Sequence, residues 1–339
     1  MNNFNLNTPT SKYKQLYIAC VCLMLIGLVT FMKLTNNNAN QLSKTGYYFD
    51  TKIDITIYGL PTKSANTILD KAMDLCSYYE HLFSKTLEDT DIYRINTSNG
   101  SPTFVDAETI NLISLACQYS EESNGIVDPS VGLLTDLWHI TEEDFNLPSN
   151  EEINKAKEHI NYNNILIDDA NKTITLLDPQ MKLDLGFIAK GYIADKLKEL
   201  LISEGVSSAL INLGGNILCI NTKPDGSNFN IGVNDPKKPY ENAIKTLSIN
   251  NKSVVSSGDY ERCVTIDDKL YHHIISIKNG YPAETNLSQV TIISDSSVEG
   301  DALSTICFIL GSEEAKKFLS DNHPNIEAIF VDSSGQIIQ

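Results

Sequence analysis

The chain has 339 residues, of which 42% are hydrophobic and 8% aromatic. This composition can bury a sizeable core and excludes an intrinsically disordered chain. Acidic residues outnumber basic ones by 43 to 26, which gives a formal net charge of −17. Such a charge repels phosphate backbones, so the composition speaks against a nucleic-acid-binding protein.

The first 45 residues carry the opposite charge. They contain four lysines and no acidic residue, so the rest of the chain has a formal charge of −21. Within them, residues 16–32 form an uncharged apolar run of 17 residues between Lys14 and Lys33. That length is the lower limit for a membrane-spanning helix. We therefore predict a short basic tail over residues 1–15 and a transmembrane signal anchor over residues 16–34.

Two other interpretations of the apolar run stay open. A cleaved signal peptide has the same basic start and apolar middle, but Asn37-Asn38-Ala39 is a poor cleavage site. A buried core helix is disfavoured, because the polar residues 35–45 that follow are typical of a linker. With an anchor, the domain predicted over residues 46–339 lies on the extracytoplasmic side of the cell membrane.

Five cysteines are scattered through the predicted domain, and two more lie in the apolar run. Small disulfide-stapled domains have even counts at close spacing, which this pattern does not show. Cys219 and Cys307 have apolar neighbours in the sequence, as expected of small core side chains. No spacing of cysteine and histidine supports a zinc site.

The elements of the domain follow from hydrophobic periodicity. Amphipathic helices are predicted over residues 64–83, 107–123, 150–160, 188–203 and 302–310. Strands are predicted over residues 53–58, 165–167, 173–177, 209–220, 229–233, 253–256, 262–266 and 289–293. Antiparallel hairpins interspersed with helices, without βαβ regularity, indicate the α+β class.

Four polar or glycine-rich segments stand out from this pattern. The first, residues 184–192, is a glycine turn that runs into a helix and carries Lys190. A helix N-terminus exposes N–H groups and could hold a phosphate, although an ordinary loop-to-helix junction is the commoner explanation of such a segment alone. In the second, Gly214-Gly215 ends an apolar strand, where either a ligand approaches the backbone or a bulge forms.

The third segment joins residues 256–262 to the pair His272-His273. Neighbouring strand residues point to opposite faces, so only one of these histidines can enter a given site. A lone strand histidine is more often structural than catalytic. In the fourth segment, residues 299–305, Asp301 could cap a helix, or it could join Thr305 as an oxygen ligand of Mg²⁺.

Together and in this order, these segments resemble the ApbE-type FAD:protein FMN transferases, from about Tyr47 to the C-terminus. Any one of the motifs is weak, but eight of them occur in register. They are Phe49-Asp50-Thr51, Phe83-Ser84 with Arg94-Ile95-Asn96, residues 128–132, residues 184–191, residues 212–216, residues 257–262, His273-Ile274-Ile275 with Gly280-Tyr281-Pro282, and residues 301–305.

The resemblance implies an α+β catalytic domain that binds FAD in a cleft, with Mg²⁺ at the diphosphate. Such an enzyme transfers the FMN half of FAD to a threonine or serine hydroxyl of an acceptor flavoprotein and releases AMP. Carried over to this sequence, the metal ligands are Asp301, Thr305 and the carbonyl of Phe187, and His273 is the expected general base. With the anchor, the acceptor is expected to be an exported or membrane protein. The expected flavin-nucleotide contacts are Phe49, Thr86, Ile126, Val127, Asp128, Asp184, Lys190 and Ile275.

Some positions depart from the family pattern. Asp50 and Phe187 stand where glycine or a small residue is frequent, Ser276-Ile277 replaces a common Asp-Pro, and Thr86 occupies a position that is often aromatic. None of these changes removes a proposed metal ligand. Two alternative functions stay open: a Mg²⁺-dependent FAD diphosphatase that yields FMN and AMP, and a membrane-tethered flavin-binding protein without turnover.

Overall fold

A computed structural model describes residues 40–140, 145, 147–239 and 241–338. Its helices are α1 (Thr62–Phe83), α2 (Asp91–Asn96), α3 (Ala107–Glu122), α4 (Gly132–Trp138), α5 (Asn150–Lys157), α6 (Ala189–Ser203), α7 (Ser297–Leu310) and α8 (Ser312–Asn322). Its strands are β1 (Gln41–Tyr48), β2 (Thr51–Tyr58), β3 (Thr103–Phe104), β4 (Ile165–Asp168), β5 (Thr173–Leu176), β6 (Ala209–Leu213), β7 (Asn216–Ile220), β8 (Phe229–Asn234), β9 (Ala243–Ile249), β10 (Ser253–Gly258), β11 (Cys263–Ile266), β12 (Lys269–His272), β13 (Leu287–Ser294), β14 (Glu327–Asp332) and β15 (Ile337–Ile338).

The largest sheet has eight strands in the order β1-β2-β6-β7-β10-β13-β14-β15, and neighbouring strands are antiparallel. Helices α1, α6 and α7 pack against the sheet and enclose the main hydrophobic core. The hairpin β8–β9 forms a second apolar cluster with residues of β7, β10, β13 and β14. All eight residues of β13 are buried, as expected of a central strand. The α+β class predicted from the sequence is confirmed.

Helix α1 shows how the sequence pattern produces this packing. Its buried residues include Ala65, Ile68, Leu69, Ala72 and Met73, which recur at intervals of three and four. That spacing places them on one helical stripe, and the stripe faces the core. The helix stops at Phe83 because Ser84 adopts an extended conformation, and the loop that follows leads to the cleft described below.

Helices α6 and α7 cross at unusually short range. A Cβ atom on Gly191 would lie 2.4 Å from the Ser297 carbonyl oxygen, so only glycine fits at this contact. Each helix also caps the other. Asp195 of α6 accepts hydrogen bonds from the N–H groups of Ser297 and Val298, and Asp301 of α7 accepts one from Gly191. This reciprocal arrangement fixes the start of α6 against the first turns of α7.

Several predicted boundaries were wrong for identifiable reasons. Helix α7 begins at Ser297, not at residue 302, because the hydroxyl of Ser296 accepts the Glu299 N–H and caps it. Asp301 is therefore not the cap of its own helix. The strand predicted over residues 209–220 is the hairpin β6–β7, which turns at Gly214-Gly215 with φ of 59° and 94°.

The N-terminal boundary of the domain also needs correction. Residues 41–45 belong to β1 and pair with β2, so they are not part of a linker. No residue of this edge strand is fully buried, and the strand is held by its backbone pairing, which leaves little apolar pattern to detect. The predicted tail and anchor lie outside the described residues. Among the residues that are described, no helix is both long and apolar enough to cross a membrane.

The five cysteines of the domain have free thiols, as predicted. Cys76, Cys219 and Cys307 are buried, whereas Cys117 and Cys263 are partly exposed. Burial raises the pKa of the Cys307 thiol to about 12, which keeps it protonated and unreactive at neutral pH.

A histidine at the end of α8 joins the ends of two other helices. His323 Nε2 lies 2.7 Å from Glu122 Oε1 at the end of α3, and Nδ1 lies 3.3 Å from Glu299 Oε1 in α7. The hydrogen bond that the His323 ring donates to Glu299 and the negative charge of Glu122 raise the pKa of His323, and burial opposes this rise. Its stabilising charge is therefore fully present below the pKa of an unfolded histidine, about 6.5, and is lost as the pH rises through the higher folded-state pKa.

We expect His323→Gln to lower the melting temperature by about 2 to 4 °C at pH 6 and by much less at pH 9. Thermal unfolding followed by circular dichroism measures both values. The exposed His81 on α1 provides the control, since His81→Gln should change the melting temperature little at either pH. A His323 effect of the same size at both pH values would contradict this assignment.

Candidate functional site

A cavity of about 820 Å³ opens between the starts of α4 and α6, the middle of α7, strand β10 and the end of hairpin β11–β12. Its volume suits a nucleotide-sized ligand. The cavity is lined by eleven of the twelve site residues predicted from the sequence. These are Thr86, Ile126, Val127, Asp128, Asp184, Phe187, Lys190, His273, Ile275, Asp301 and Thr305.

Phe49 is the predicted site residue that does not line the cavity. It adopts a left-handed conformation in the β1–β2 turn and packs against the main core, and its N–H donates to Glu80. Its neighbours Asp50 and Thr51 do line the cavity, and Arg262 donates a hydrogen bond to the carbonyl of Asp50. The motif Phe49-Asp50-Thr51 thus contributes Asp50 and Thr51, but not Phe49, to the cavity lining.

The crossing of α6 and α7 forms an acidic corner of the cleft. Asp301 is 5% exposed; its Oδ2 accepts the Gly191 N–H at 2.8 Å, and its Oδ1 lies 3.7 Å from Lys190 Nζ. Burial raises the pKa of Asp301, although Lys190 and the Gly191 N–H oppose it. The Gly191 N–H is thus already bonded to protein, which reduces the capacity of this helix start for a phosphate.

Hydroxyl groups line the same corner. Ser257 Oγ of β10 lies 2.8 Å from Ser304 Oγ and 3.4 Å from Thr305 Oγ1. Ser257 and Thr305 line the cavity, and with the carboxylate of Asp301 their hydroxyls are hard oxygen donors of the kind that Mg²⁺ prefers. Among the described residues, no group of three or more His, Cys, Asp or Glu could hold a metal ion. A cation here would therefore take only part of its shell from these side chains.

Glu261, from the segment of residues 256–262, adds a second carboxyl group to this corner of the cleft. Burial raises its pKa to about 7, and Asp301 adds to this effect, while Lys190 and Arg262 oppose it. Two carboxyl groups whose charge is disfavoured by burial make the corner a favourable place for a cation. The residues present therefore fit the predicted Mg²⁺ site.

The two histidines point in different directions, as strand alternation predicts. His272 is buried: its ring accepts the Ile274 N–H at Nδ1 and lies 3.1 Å from the Ala283 carbonyl at Nε2. Because Nδ1 accepts, Nε2 carries the proton and donates to that carbonyl. His272 is therefore a neutral structural residue.

His273 instead faces the open cleft, just beyond the end of β12. Its N–H donates to the carbonyl of Arg262 at 3.0 Å, which anchors its backbone to the residue just before β11. Burial of the ring between the cleft walls lowers the pKa of His273. The positive charges of Arg262 and Lys190 lower it further. The ring is therefore neutral at pH 7 and can accept a proton.

Another part of the cleft wall is built around Asp184. Burial alone would raise its pKa, but the Lys85 ammonium at 2.9 Å, together with hydrogen bonds from Thr135 and the Gly186 N–H, lowers it to about 2. Asp184 is thus ionised at neutral pH. Lys85 was missed because it lies 99 residues away in the chain and resembles an ordinary surface lysine.

Asp128 mainly supports the loop that carries it. Its Oδ1 accepts from the N–H and the hydroxyl of Ser130, and its Oδ2 accepts the Tyr162 N–H. Burial raises its pKa, although these bonds oppose the rise. Its neighbours Ile126 and Val127 present apolar surface to the cavity.

The floor near Ile275 is held by a separate aromatic cluster. Trp138 of α4 donates its indole N–H to the Gly280 carbonyl at 2.7 Å, stacks on Tyr271 and contacts Tyr281 edge-to-face. This cluster fixes residues 274–283 beside α4. The fold and the site together define an α+β protein whose cleft combines apolar walls, an acidic corner with Lys190 and Arg262 beside it, and a histidine, as expected for a nucleotide-sized ligand that binds together with a cation.

Comparison with known proteins agrees with this description. The chain belongs to the ApbE family, whose model matches residues 49–330. It is 31% identical over 306 residues to an FAD:protein FMN transferase of Treponema pallidum, covering 86% of this chain and 84% of that protein. A relative of the same name from Klebsiella pneumoniae is 33% identical over 272 residues, covering 80% and 84%. The crystal structure of the ApbE protein of Thermotoga maritima matches with a TM-score of 0.82 at 31% identity, covering 88% of this chain and 97% of that one.

Proposed function

We propose that this protein is an FAD:protein FMN transferase that uses Mg²⁺, passes FMN to a threonine or serine hydroxyl and releases AMP. Membership of the ApbE family and the names of its relatives support the transferase activity. The observation that carries the chemistry is the placement of a neutral histidine and a buried carboxylate in one nucleotide-sized cleft. These residues are His273 and Asp301.

The residues of the cleft can divide the reaction between them. His273 would accept the proton of the acceptor hydroxyl as its oxygen forms a bond to the FMN phosphorus. The bond between that phosphorus and the bridging oxygen breaks, and AMP leaves with the bridging oxygen. Lys190 and Arg262 would balance the negative charge of the diphosphate during this step.

Asp301 and Thr305, with the carbonyl of Phe187, would hold Mg²⁺. The bound ion would supply charge neutralisation at the diphosphate. The protein contributes few ligands to this site, which leaves positions for phosphate oxygens and water.

The test incubates the purified protein with FAD and Mg²⁺, with and without an exported flavoprotein from the same cell. Protein-bound flavin fluorescence after denaturing electrophoresis reports transfer, and chromatography reports AMP. We expect labelling and AMP release to require both the acceptor and Mg²⁺. AMP formed equally fast without acceptor would favour the diphosphatase, and tight FAD binding without AMP would favour a binding protein.

We further propose that residues 16–34 anchor the chain as a single-pass membrane protein with the domain on the extracytoplasmic side. The support is the apolar run flanked by lysines. An acceptor would then be an exported or membrane protein with its target hydroxyl near the membrane surface.

External protease on intact cells should remove the domain and leave a small N-terminal fragment. A truncation that starts at residue 40 should stay in the supernatant after ultracentrifugation and keep transferase activity, because β1 begins at Gln41. A truncation that starts at residue 46 serves as the comparison, since it removes five residues of β1 and should be less stable. A domain that is protected from protease in intact cells would contradict the proposed orientation.

A further inference from the structure

The loop after α1 places Lys85, a largely buried cation, in the cleft wall. The proposed reaction gives this residue no role. Lys85 Nζ lies 2.8 Å from Thr135 Oγ1, 2.7 Å from Asp136 Oδ1 and 2.9 Å from Asp184 Oδ2. An ammonium group has three N–H donors and no acceptor. These three partners occupy all of its donors, so Lys85 has no N–H left for a ligand.

Asp184, unlike Lys85, can still form a hydrogen bond with a ligand. Its Oδ1 accepts the Gly186 N–H at 2.8 Å, and its Oδ2 accepts the Thr135 hydroxyl at 2.7 Å in addition to Lys85. An ionised carboxylate offers about four lone-pair sites. Three are used by described residues, and Asp184 lines the cavity. One hydrogen bond from a ligand N–H or O–H can therefore be accepted, provided that the carboxylate is charged.

We propose that Lys85 is a positioning residue that keeps Asp184 ionised and aimed at the cleft, so that Asp184 accepts one hydrogen bond from bound FAD. The inference rests on the proposed function, since it takes FAD as the ligand. Thr135 links the two side chains, because its hydroxyl accepts a hydrogen bond from Lys85 and donates one to Asp184. The cation thus acts on the ligand only through the carboxylate.

Removal of Lys85 changes the protonation of Asp184 in a definite direction. With Lys85 present, the lowered pKa keeps Asp184 charged throughout the neutral and mildly acidic range. Without it, burial is opposed only by hydrogen bonds, so the pKa of Asp184 rises and falling pH neutralises the group. A neutral carboxyl group is a weaker hydrogen-bond acceptor than a carboxylate. The affinity of a Lys85 variant for FAD should therefore decrease as the pH is lowered.

Other charged groups lie around Asp184 and must be separated from this effect. Asp136 on α4 shares Lys85 with it, and Lys182 pairs with Asp136 at 3.1 Å. The remaining charged or titratable groups that line the cleft are Asp50, Asp128, His139, Lys190, Glu261, Arg262, His273 and Asp301. Because these are the same in the wild type and in a Lys85 variant, the ratio of the two dissociation constants isolates the contribution of Lys85.

The experiment measures the Kd of FAD for the full chain by flavin fluorescence at pH 5 to 8, with EDTA present to prevent turnover. For Lys85→Met, the ratio of its Kd to the wild-type Kd should grow by about tenfold as the pH falls from 8 to 5. Lys85→Gln should behave in the same way and serves if the methionine variant does not fold. Lys85→Arg retains the charge, so its ratio should not depend on pH.

Two controls complete the design. Lys182→Met removes a cation from the same wall without touching Asp184, and its ratio should also be independent of pH. Adding Asp184→Asn to Lys85→Met should abolish the pH dependence of the ratio. A ratio for Lys85→Met and Lys85→Gln that stays constant from pH 8 to 5 would overturn the inference. Absence of FAD binding by the wild type would overturn the proposed function instead.

Discussion

His273→Ala should lower the rate of flavin transfer by about 10² to 10⁴-fold, the usual contribution of a general base. The neutral ring faces the cleft and has its backbone anchored to Arg262, so alanine removes the proton acceptor without disturbing the hairpin. Single-turnover transfer at saturating FAD measures the effect on chemistry. FAD binding should change far less than the rate.

His272 provides the matched control one residue away. Its ring bonds to the Ala283 carbonyl and the Ile274 N–H, so His272→Ala should reduce the free energy of unfolding by about 1 to 3 kcal/mol. The transfer rate per folded molecule should stay within a few fold of the wild type. Small and equal losses of rate in both variants would show that His273 is a structural residue too.

Asp301→Asn should lower Mg²⁺-dependent AMP release by on the order of 10³-fold, because a metal ion at the diphosphate contributes several kcal/mol. Asparagine keeps an oxygen that can accept the Gly191 N–H, so the contact between α6 and α7 survives while the charge is lost. Asp301→Ala would remove both the charge and the oxygen that accepts the Gly191 N–H. Initial rates of AMP release over a range of Mg²⁺ concentrations measure the change.

Asp295 is the control for that substitution. It precedes α7 and its side chain is 88% exposed, with Lys252 as its ion-pair partner. Asp295→Asn should leave the Mg²⁺ dependence unchanged. An Asp301→Asn variant that releases AMP at the wild-type rate would show that the metal is held elsewhere or is not needed.

The fold was predictable where periodicity is strong. Helix α1 and strand β2 each bury one regular stripe, and their predicted positions differ from the structure by only two residues at the start. Edge strand β1 has no buried residue, and the first turn of α7 is set by the hydroxyl of Ser296 and by Asp195 of another helix. Such boundaries depend on tertiary contacts, which periodicity does not contain.

The site residues, like the elements of the fold, were only partly predictable from the sequence. His273 and Asp301 could be proposed because they lie in motifs that resemble the family, and the structure places both in the cleft. Lys85 and Glu261 acquire their properties only after folding. Lys85 needs Asp184, 99 residues further along the chain, and the pKa of Glu261 depends on burial and on charges from other elements. Both lie in or beside motifs that the sequence picked out, Glu261 within residues 257–262 and Lys85 between Ser84 and Thr86, but nothing in the motifs distinguishes them from their neighbours.

The central claim is that the cleft transfers FMN to a protein hydroxyl, and the mass of the acceptor tests it most directly. An exported flavoprotein is incubated with the enzyme, FAD and Mg²⁺, beside an acceptor in which the target threonine is alanine. We predict that the intact mass rises by one FMN less one water, with one AMP released per modified acceptor, and that the alanine acceptor stays unmodified. FAD consumed to free FMN and AMP, with no change in acceptor mass, would contradict this account.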